Sequence, residues 1–174
     1  MKKIKTKDLI LYSSVAAIYV VLTVFLGNFS FGTIQFRISE VLVLLCFFNR
    51  KFFIPLTLGC FISNLFSPYG LDIVFGTLAT MISLVWISSS KRLFVASLYP
   101  VIFNGVIISL EICLLTNTLT FGVFLLNFLT IAIGEFTCVS VIGVIVFKAL
   151  KNNDVFLKLI KWLKLLEKSV FFLE

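Results

Sequence analysis

Residues 91–115 read KRLFVASLYPVIFNGVIISLEICLL. Two cations, Lys91 and Arg92, precede an apolar run that continues to Leu115. A helix needs about 20 apolar residues to cross the hydrocarbon core of a bilayer, so this run predicts a transmembrane helix. The run retains one carboxylate, Glu111, and one amide, Asn104. Because an ionisable side chain is costly inside a membrane, Glu111 is a candidate functional residue.

The composition of the whole chain agrees with this interpretation. Of its 174 residues, 60% are hydrophobic and 13% are charged, whereas soluble domains carry roughly a quarter charged residues. The mean hydropathy is +1.15. We therefore predict an all-α integral membrane protein, with the lipid bilayer as its solvent. The net charge of +7 does not indicate nucleic acid binding, because the cations flank apolar runs instead of forming a basic stripe on a folded surface.

Six apolar runs predict a bundle of six transmembrane helices. They cover residues 8–26, 38–48, 52–66, 71–89, 93–115 and 121–147. The second and third runs are too short to cross upright alone, so they either pack inside the bundle or rely on the preceding loop for depth. A retained first helix is favoured over a cleaved signal peptide, because residues 8–26 are long enough to span and no A-x-A site follows them.

The positive charges predict the orientation of the bundle. All of the 15 Lys and Arg residues except Arg37 fall in the two terminal regions or in the connections after the second, fourth and sixth runs. Cytoplasmic segments of membrane proteins carry the excess of Lys and Arg. Both termini are therefore expected in the cytoplasm.

The last 24 residues, 151–174, form a predicted segment separate from the membrane domain of residues 1–150. Within residues 153–172, apolar side chains recur at helical spacing and four lysines occupy the other side. This pattern predicts a basic amphipathic helix on the cytoplasmic surface of an anionic membrane. A helix packed on the bundle is the alternative.

The chain lacks the residues that several kinds of chemistry require. It contains no histidine, and its four cysteines form no CxxC pair, so neither a metal site nor a disulfide is indicated. It also lacks a phosphate-binding GxxxxGK[ST] loop, a nucleophile–base set and an HExxH motif. We expect no cofactor and no enzymatic activity, and transport driven by this chain would need an outside source of energy.

Four carboxylates remain in the predicted membrane region, and two of them have simple structural explanations. Arg37 and Glu40 lie three residues apart and could pair along one helix face. Asp72 opens the fourth run, where it could cap the helix and favour its dipole. A role in binding remains the alternative for all three residues.

Glu111 and Glu135 are harder to explain structurally, because neither has a basic neighbour in sequence. A ligand with N–H groups or an ammonium would lower the cost of burying them. Asn104 lies two turns before Glu111 on the same helix face. Three further residues, Gln35, Phe36 and Asn64, are expected near the same end of the bundle. In the first run Ser13, Ala16 and Ala17 form a small-residue face suited to close packing, either within the bundle or against a partner.

These residues resemble a known family. Six spans, a basic N-terminus and the small-residue face are similar to the substrate-binding subunit (S component) of energy-coupling factor (ECF) transporters. More specifically, three parts of the chain resemble the QueT family of queuosine-precursor S components. They are residues 34–40 (IQFRISE), residues 64–80 (NLFSPYGLDIVFGTLAT) and the set of dipeptides Asn104-Gly105, Leu110-Glu111 and Gly134-Glu135. The resemblance covers residues 8–150. Position 13 departs from it, since many S components place Ala there.

The resemblance implies a function in the bacterial cytoplasmic membrane. Such a subunit captures its solute from outside and delivers it inward with a transmembrane coupling protein (T component) and two ATPases. The solute would be a 7-deazaguanine such as 7-aminomethyl-7-deazaguanine. Glu111 and Glu135 would bind its guanine edge or ammonium with Asn104 and Asn64 as amide partners, and Arg37, Glu40 and Asp72 would form or order an outer lid. The other hypotheses are an S component for a different vitamin or nucleobase, a membrane enzyme, and a structural or assembly protein.

Overall fold

The computed structural model describes residues 6–32, 34–154 and 156–158, and within them every regular element is a helix. The described residues form eight α-helices in chain order: α1 (Thr6–Phe25), α2 (Gly27–Ser30), α3 (Leu45–Phe48), α4 (Phe53–Asn64), α5 (Asp72–Ser89), α6 (Leu93–Leu115), α7 (Phe121–Glu135) and α8 (Val144–Leu150). Three other helical segments complete the fold: two 3₁₀-helices (Ile38–Leu44 and Arg50–Phe52) and one π-helix (Phe136–Gly143).

In the part of the chain that the structure describes, four helical segments are long and apolar enough to cross a membrane. They are Asp8–Phe25, Asp72–Ser89, Leu93–Leu115 and Phe121–Leu150, of 18, 18, 23 and 30 residues. The chain is therefore a multi-pass membrane protein. The second and third predicted spans correspond to Ile38–Phe48 and α4, both shorter than a full crossing. The count of six spans and the orientation of the termini stay predictions.

The surface of the bundle is apolar and much of its interior is polar. Phe25 and Phe121 are 85% and 79% exposed, as expected for side chains in contact with lipid. Several buried serines donate to a backbone carbonyl of their own helix, as Ser63 does to Gly59 (2.7 Å) and Ser83 does to Ala79 (2.8 Å). Small polar residues satisfied in this way allow helices to approach closely without leaving open hydrogen bonds.

The two irregular helices, Ile38–Leu44 and Phe136–Gly143, pack against each other. Glycines permit this close approach. A Cβ atom on Gly134 would lie 2.5 Å from the carbonyl oxygen of Gln35, and one on Gly143 would lie 3.0 Å from Leu44 Cδ1. Helical segments with π geometry often occur at functional sites. Here the π-helix directly follows Glu135, and the 3₁₀-helix carries Glu40.

Most of the basic helix predicted at residues 153–172 lies outside the described residues. The described beginning of this segment includes Phe156. Its ring centroid lies 5.3 Å from that of Phe48 and 6.0 Å from that of Phe147, so this side chain packs on the bundle.

Candidate substrate-binding site

Arg37 lies inside the bundle, with only 3% of its side chain exposed. Its Nη2 atom donates to Asn64 Oδ1 at 2.8 Å, and its Nη1 atom lies 4.0 Å from Glu40 Oε1. The guanidinium carbon is 5.3 Å from the centroid of the Phe31 ring, close enough for a cation–π contact. The i,i+3 pairing predicted for Arg37 and Glu40 is therefore present, but an amide and an aromatic ring hold the guanidinium as well.

Glu40 is held by hydroxyl groups from two other helices. Its Oε1 atom accepts a hydrogen bond from Tyr19 of α1 and another from Thr80 of α5 (3.4 Å). Its Oε2 atom is buried and has no donor among the described residues. One side of this carboxylate is thus structural, and the other retains an open acceptor.

Asn64, the last residue of α4, joins this group through close packing with α5. Its Nδ2 atom donates to Thr77 Oγ1 at 3.3 Å, and its Oδ1 atom accepts the hydrogen bond from Arg37 Nη2. A Cβ atom on Gly76 would lie 2.8 Å from Asn64 Nδ2, so only glycine leaves the amide in place. The amide is therefore oriented by α5 to present its oxygen to the arginine.

Glu135 and Asn104 form a direct pair between α7 and α6. Asn104 Nδ2 donates to Glu135 Oε1 at 2.7 Å. Both side chains are at most 2% exposed, and both Asn104 Oδ1 and Glu135 Oε2 lack a donor in the described structure. The pair therefore offers two buried acceptors side by side.

Asp72 and Glu111 form a second pair, between α5 and α6. The two carboxyl groups lie near enough to interact electrostatically inside the bundle. Ser67 also donates to Asp72 Oδ2. Glu111 is 1% exposed, and neither of its oxygens has a donor among the described residues.

One guanidinium acts electrostatically on four of the buried carboxyl groups. Arg37 interacts in this way with Glu40, Asp72, Glu111 and Glu135. One positive charge cannot neutralise four carboxylates, and burial in a low-dielectric interior makes the excess negative charge expensive. The cluster of Arg37 and these four acids therefore favours protons or a ligand that brings donors or positive charge.

A cavity of about 380 Å³ adjoins this cluster. It is lined by Val24, Gly27, Phe31, Phe66 and Pro68. Phe31 is the ring beneath Arg37, and Pro68 follows the serine that bonds to Asp72. The cavity is therefore connected to the cluster through Phe31, which contacts Arg37, and two phenyl rings border it.

Seven of the predicted binding residues come together in the bundle: Arg37, Glu40, Asn64, Asp72, Asn104, Glu111 and Glu135. Gln35 is buried, and it is its backbone that contacts Gly134. Phe36 is half-buried and packs against the hydrophobic core. Arg37, Glu40 and Asp72 are at most 3% exposed, so they lie beneath the surface loops; their role in a lid stays a prediction.

The small-residue face of α1 lies away from these acids. Ser13 and Ala17 are exposed and Ala16 is half-buried. All three line an apolar groove of about 610 Å³ between α1 and α4, whose other walls include Ile54 and Leu58. The face is therefore open on the bundle surface in this single chain.

Sequence reasoning missed the hydroxyl groups that hold the acids: Tyr19, Ser67 and Thr80. The sequence offered a signal for Tyr19, since a residue with a polar hydroxyl stands there in the middle of an apolar run. Thr23, one turn later, also points inward and lies 2.6 Å from the Ser39 hydroxyl. Polar residues spaced one turn apart in a transmembrane run indicate the face that looks into the bundle.

Comparisons with known proteins add an independent line of evidence. The sequence model of a family described as "QueT transporter" matches residues 9–152. A curated protein of Lactococcus lactis subsp. cremoris (strain MG1363), "Queuosine precursor transporter QueT", is 36% identical over 169 residues, which covers 88% of this chain and 98% of that relative. No solved structure matches the chain.

Proposed function

Because this chain belongs to the QueT transporter family, we propose that it is the membrane-embedded substrate-binding subunit of an ECF importer. It captures a queuosine precursor, a 7-deazaguanine such as 7-aminomethyl-7-deazaguanine, from outside the cell. The observation that carries this proposal is the buried Asn104–Glu135 pair with its two open acceptors, in a chain matched by the family over residues 9–152.

The chemistry of the ligand complements this pair. The guanine-like edge of a 7-deazaguanine carries N–H donors beside a carbonyl oxygen, and a carboxylate accepts such donors while an amide serves either kind of group. Glu135 Oε2 and Asn104 Oδ1 lack donors in the described structure, and such groups are costly when buried. Binding of the guanine edge would supply the missing donors.

The cavity fits a flat heterocycle. Pockets for small molecules typically have volumes of about 300–1,000 Å³, and the cavity here measures about 380 Å³. Phe31 and Phe66 can stack on the faces of the ring, as aromatic side chains do with unpaired bases. The four acids are closed off from solvent, so part of the cavity wall, such as the segment with Phe66 and Pro68, must move for the ligand to reach them.

The protein lies in the bacterial cytoplasmic membrane with six spans and both termini in the cytoplasm. The cations at residues 50–51, 91–92, 148 and 151 then lie on the cytoplasmic side. The cavity and the acid cluster lie towards the outer side, where the solute arrives. The short second and third spans pack within the bundle beside the longer helices.

A transmembrane coupling protein and two ATPases complete the transporter. This chain has no phosphate-binding loop, so ATP hydrolysis must come from partners, and the chain itself acts as a binding subunit and not as an enzyme. The groove lined by Ser13, Ala16 and Ala17 suits the contact with the coupling protein, since small residues let another helix approach the backbone closely.

A thermal-stability measurement tests the proposed ligand class. The protein purified in detergent is heated with 7-aminomethyl-7-deazaguanine, with guanine or with riboflavin. At a concentration 100 times its dissociation constant, a ligand adds about 2.7 kcal/mol of stability, which is readily detected as a higher melting temperature. A shift with the deazaguanine supports the proposal. A shift with riboflavin alone would identify an S component for another solute, and no shift with any compound would favour an assembly role.

A further inference from the structure

The Asp72–Glu111 pair differs from the other acids of the cluster in what neutralises it. The Arg37 guanidinium is directed to Asn64 and Glu40, and Glu135 has the amide of Asn104. Asp72 receives one neutral hydroxyl from Ser67, and Glu111 receives no donor from the described residues. This pair therefore carries the least compensated negative charge of the site.

Glu111 provides the observation that indicates a ligand here. Its side chain is 1% exposed, both of its oxygens lack a donor in the described structure, and it lies against the carboxyl of Asp72. Two neighbouring buried carboxylates are costly unless a cation accompanies them, so the pair favours a ligand that brings positive charge. The described residues contain no group of three or more His, Cys, Asp or Glu side chains able to hold a metal ion. An organic cation with N–H donors complements this pair, because both Glu111 oxygens are open acceptors.

We propose, on the basis of the proposed function, that Asp72 and Glu111 together bind the protonated amine of the ligand, and that they make the protein selective for a cationic deazaguanine over neutral ones. An ammonium offers three N–H donors, and these carboxyl groups supply the acceptors for them. The positive charge of the amine offsets the cost of burying two neighbouring carboxylates. The guanine edge remains with Asn104 and Glu135.

The position of Asp72 and Glu111 agrees with a site in which they bind the amine while Asn104 and Glu135 bind the guanine edge. Ser67, which bonds to Asp72, precedes Pro68 in the wall of the cavity. Asp72 and Glu111 belong to α5 and α6, whereas Asn104 and Glu135 join α6 and α7. On α6, Asn104 and Glu111 are seven residues apart, which places them on the same helix face about 10 Å apart along the axis. A ring held at the guanine edge by Asn104 could thus extend a substituent towards Glu111.

Direct binding measurements on the full chain in detergent test the selectivity. Isothermal titration compares 7-aminomethyl-7-deazaguanine with 7-cyano-7-deazaguanine and with 7-methyl-7-deazaguanine, which has a similar shape but no charge. We expect the aminomethyl compound to bind about 10- to 100-fold more tightly than either neutral compound, the range of a charge-assisted hydrogen bond. Equal affinities for all three would overturn the inference and leave the proposed function intact.

Single-residue variants test whether Asp72 and Glu111 cause the selectivity for the cationic ligand. Glu111→Gln and Asp72→Asn should each lose about 10-fold or more in affinity for the aminomethyl compound, with little change for the neutral two. Asp154→Asn changes an exposed acid of the cytoplasmic segment and serves as the matched control, with no change expected. A uniform loss for all three ligands would show that the pair is structural, and this too would refute the inference.

The comparison of ligands on the unaltered protein does not depend on the folding of any variant. Glu111→Asp offers a second substitution, which retains the charge. If no deazaguanine binds the unaltered protein, the proposed function fails and this inference fails with it. The two failures are therefore distinguishable.

Discussion

Tyr19 of α1 donates its hydroxyl hydrogen to Glu40 Oε1 in the centre of the bundle. Tyr19 is fully buried, and a Cβ atom on Gly59 would lie 3.0 Å from its Cβ atom and 3.2 Å from the carbonyl oxygen of Ala16. The helix that carries the exposed small-residue face is thus tied directly to the acid cluster. The same turn of α1 faces α4 at Ala16 and the binding site at Tyr19.

Removing this hydroxyl with Tyr19→Phe should destabilise the protein by about 1 kcal/mol. The substitution leaves Glu40 Oε1 with the longer bond from Thr80 alone. The melting temperature in detergent measures the effect.

Tyr12→Phe is the matched control for Tyr19→Phe, since Tyr12 lies two turns earlier on the same helix and is only half-buried. If both variants melt at the same temperature as the unaltered protein, the bond between Tyr19 and Glu40 contributes nothing to stability.

Gly134→Ala should disrupt the site although it changes no polar side chain. The new Cβ atom would meet the backbone of Gln35 at 2.5 Å, so the loop before the 3₁₀-helix or the turn carrying Glu135 must move. Overpacking of this kind costs about 1–3 kcal/mol, and ligand affinity should fall as well. Both effects are measured by thermal melting with and without 7-aminomethyl-7-deazaguanine.

Gly122→Ala, on the same helix, has no atom within 4 Å of the added Cβ and should leave stability unchanged or slightly higher. Equal behaviour of the two alanine variants would contradict the close packing of Gln35 on Gly134.

Glu135→Gln should weaken ligand binding by about 1.5–3 kcal/mol, the scale of a hydrogen bond to a charged group. The substitution keeps the shape of the side chain and an acceptor oxygen but removes the charge that faces Asn104. Isothermal titration of the purified variant gives the affinity, with Asp154→Asn as the control. Unchanged affinity would remove Glu135 from the site.

Ser13→Leu and Ala17→Leu should prevent assembly with the coupling protein while ligand binding is retained. Both residues line the groove between α1 and α4, and a leucine at either position would fill it. Co-purification with the coupling protein and its ATPases measures assembly, and titration measures ligand binding.

Ser14→Leu is the control for the groove, since Ser14 is exposed on the same turn but is not among its lining residues. If Ser14→Leu blocks assembly as strongly as Ser13→Leu, the groove is not the docking surface.

Residue chemistry was sufficient to predict the class of the protein and to single out the buried polar residues that the structure brings together; their role in binding stays a prediction. Apolar runs of 18 or more residues are expected in a soluble protein only rarely, so the long helices at Asp72–Ser89 and Leu93–Leu115 were recognisable from composition alone. Carboxylates stand out in such runs, because the membrane gives them no solvent; Glu111 and Glu135 were identified on that ground.

The partners of those carboxylates depended on the packing of helices far apart in the chain. Tyr19 and Glu40 are 21 residues apart, Asn104 and Glu135 are 31 apart, and Thr80 and Glu40 are 40 apart. Helical periodicity determines which side of one helix a residue occupies, but it carries no information on which other helix lies opposite. The 3₁₀ and π geometry of Ile38–Leu44 and Phe136–Gly143 likewise arises where the two segments meet, a contact that local sequence patterns do not specify.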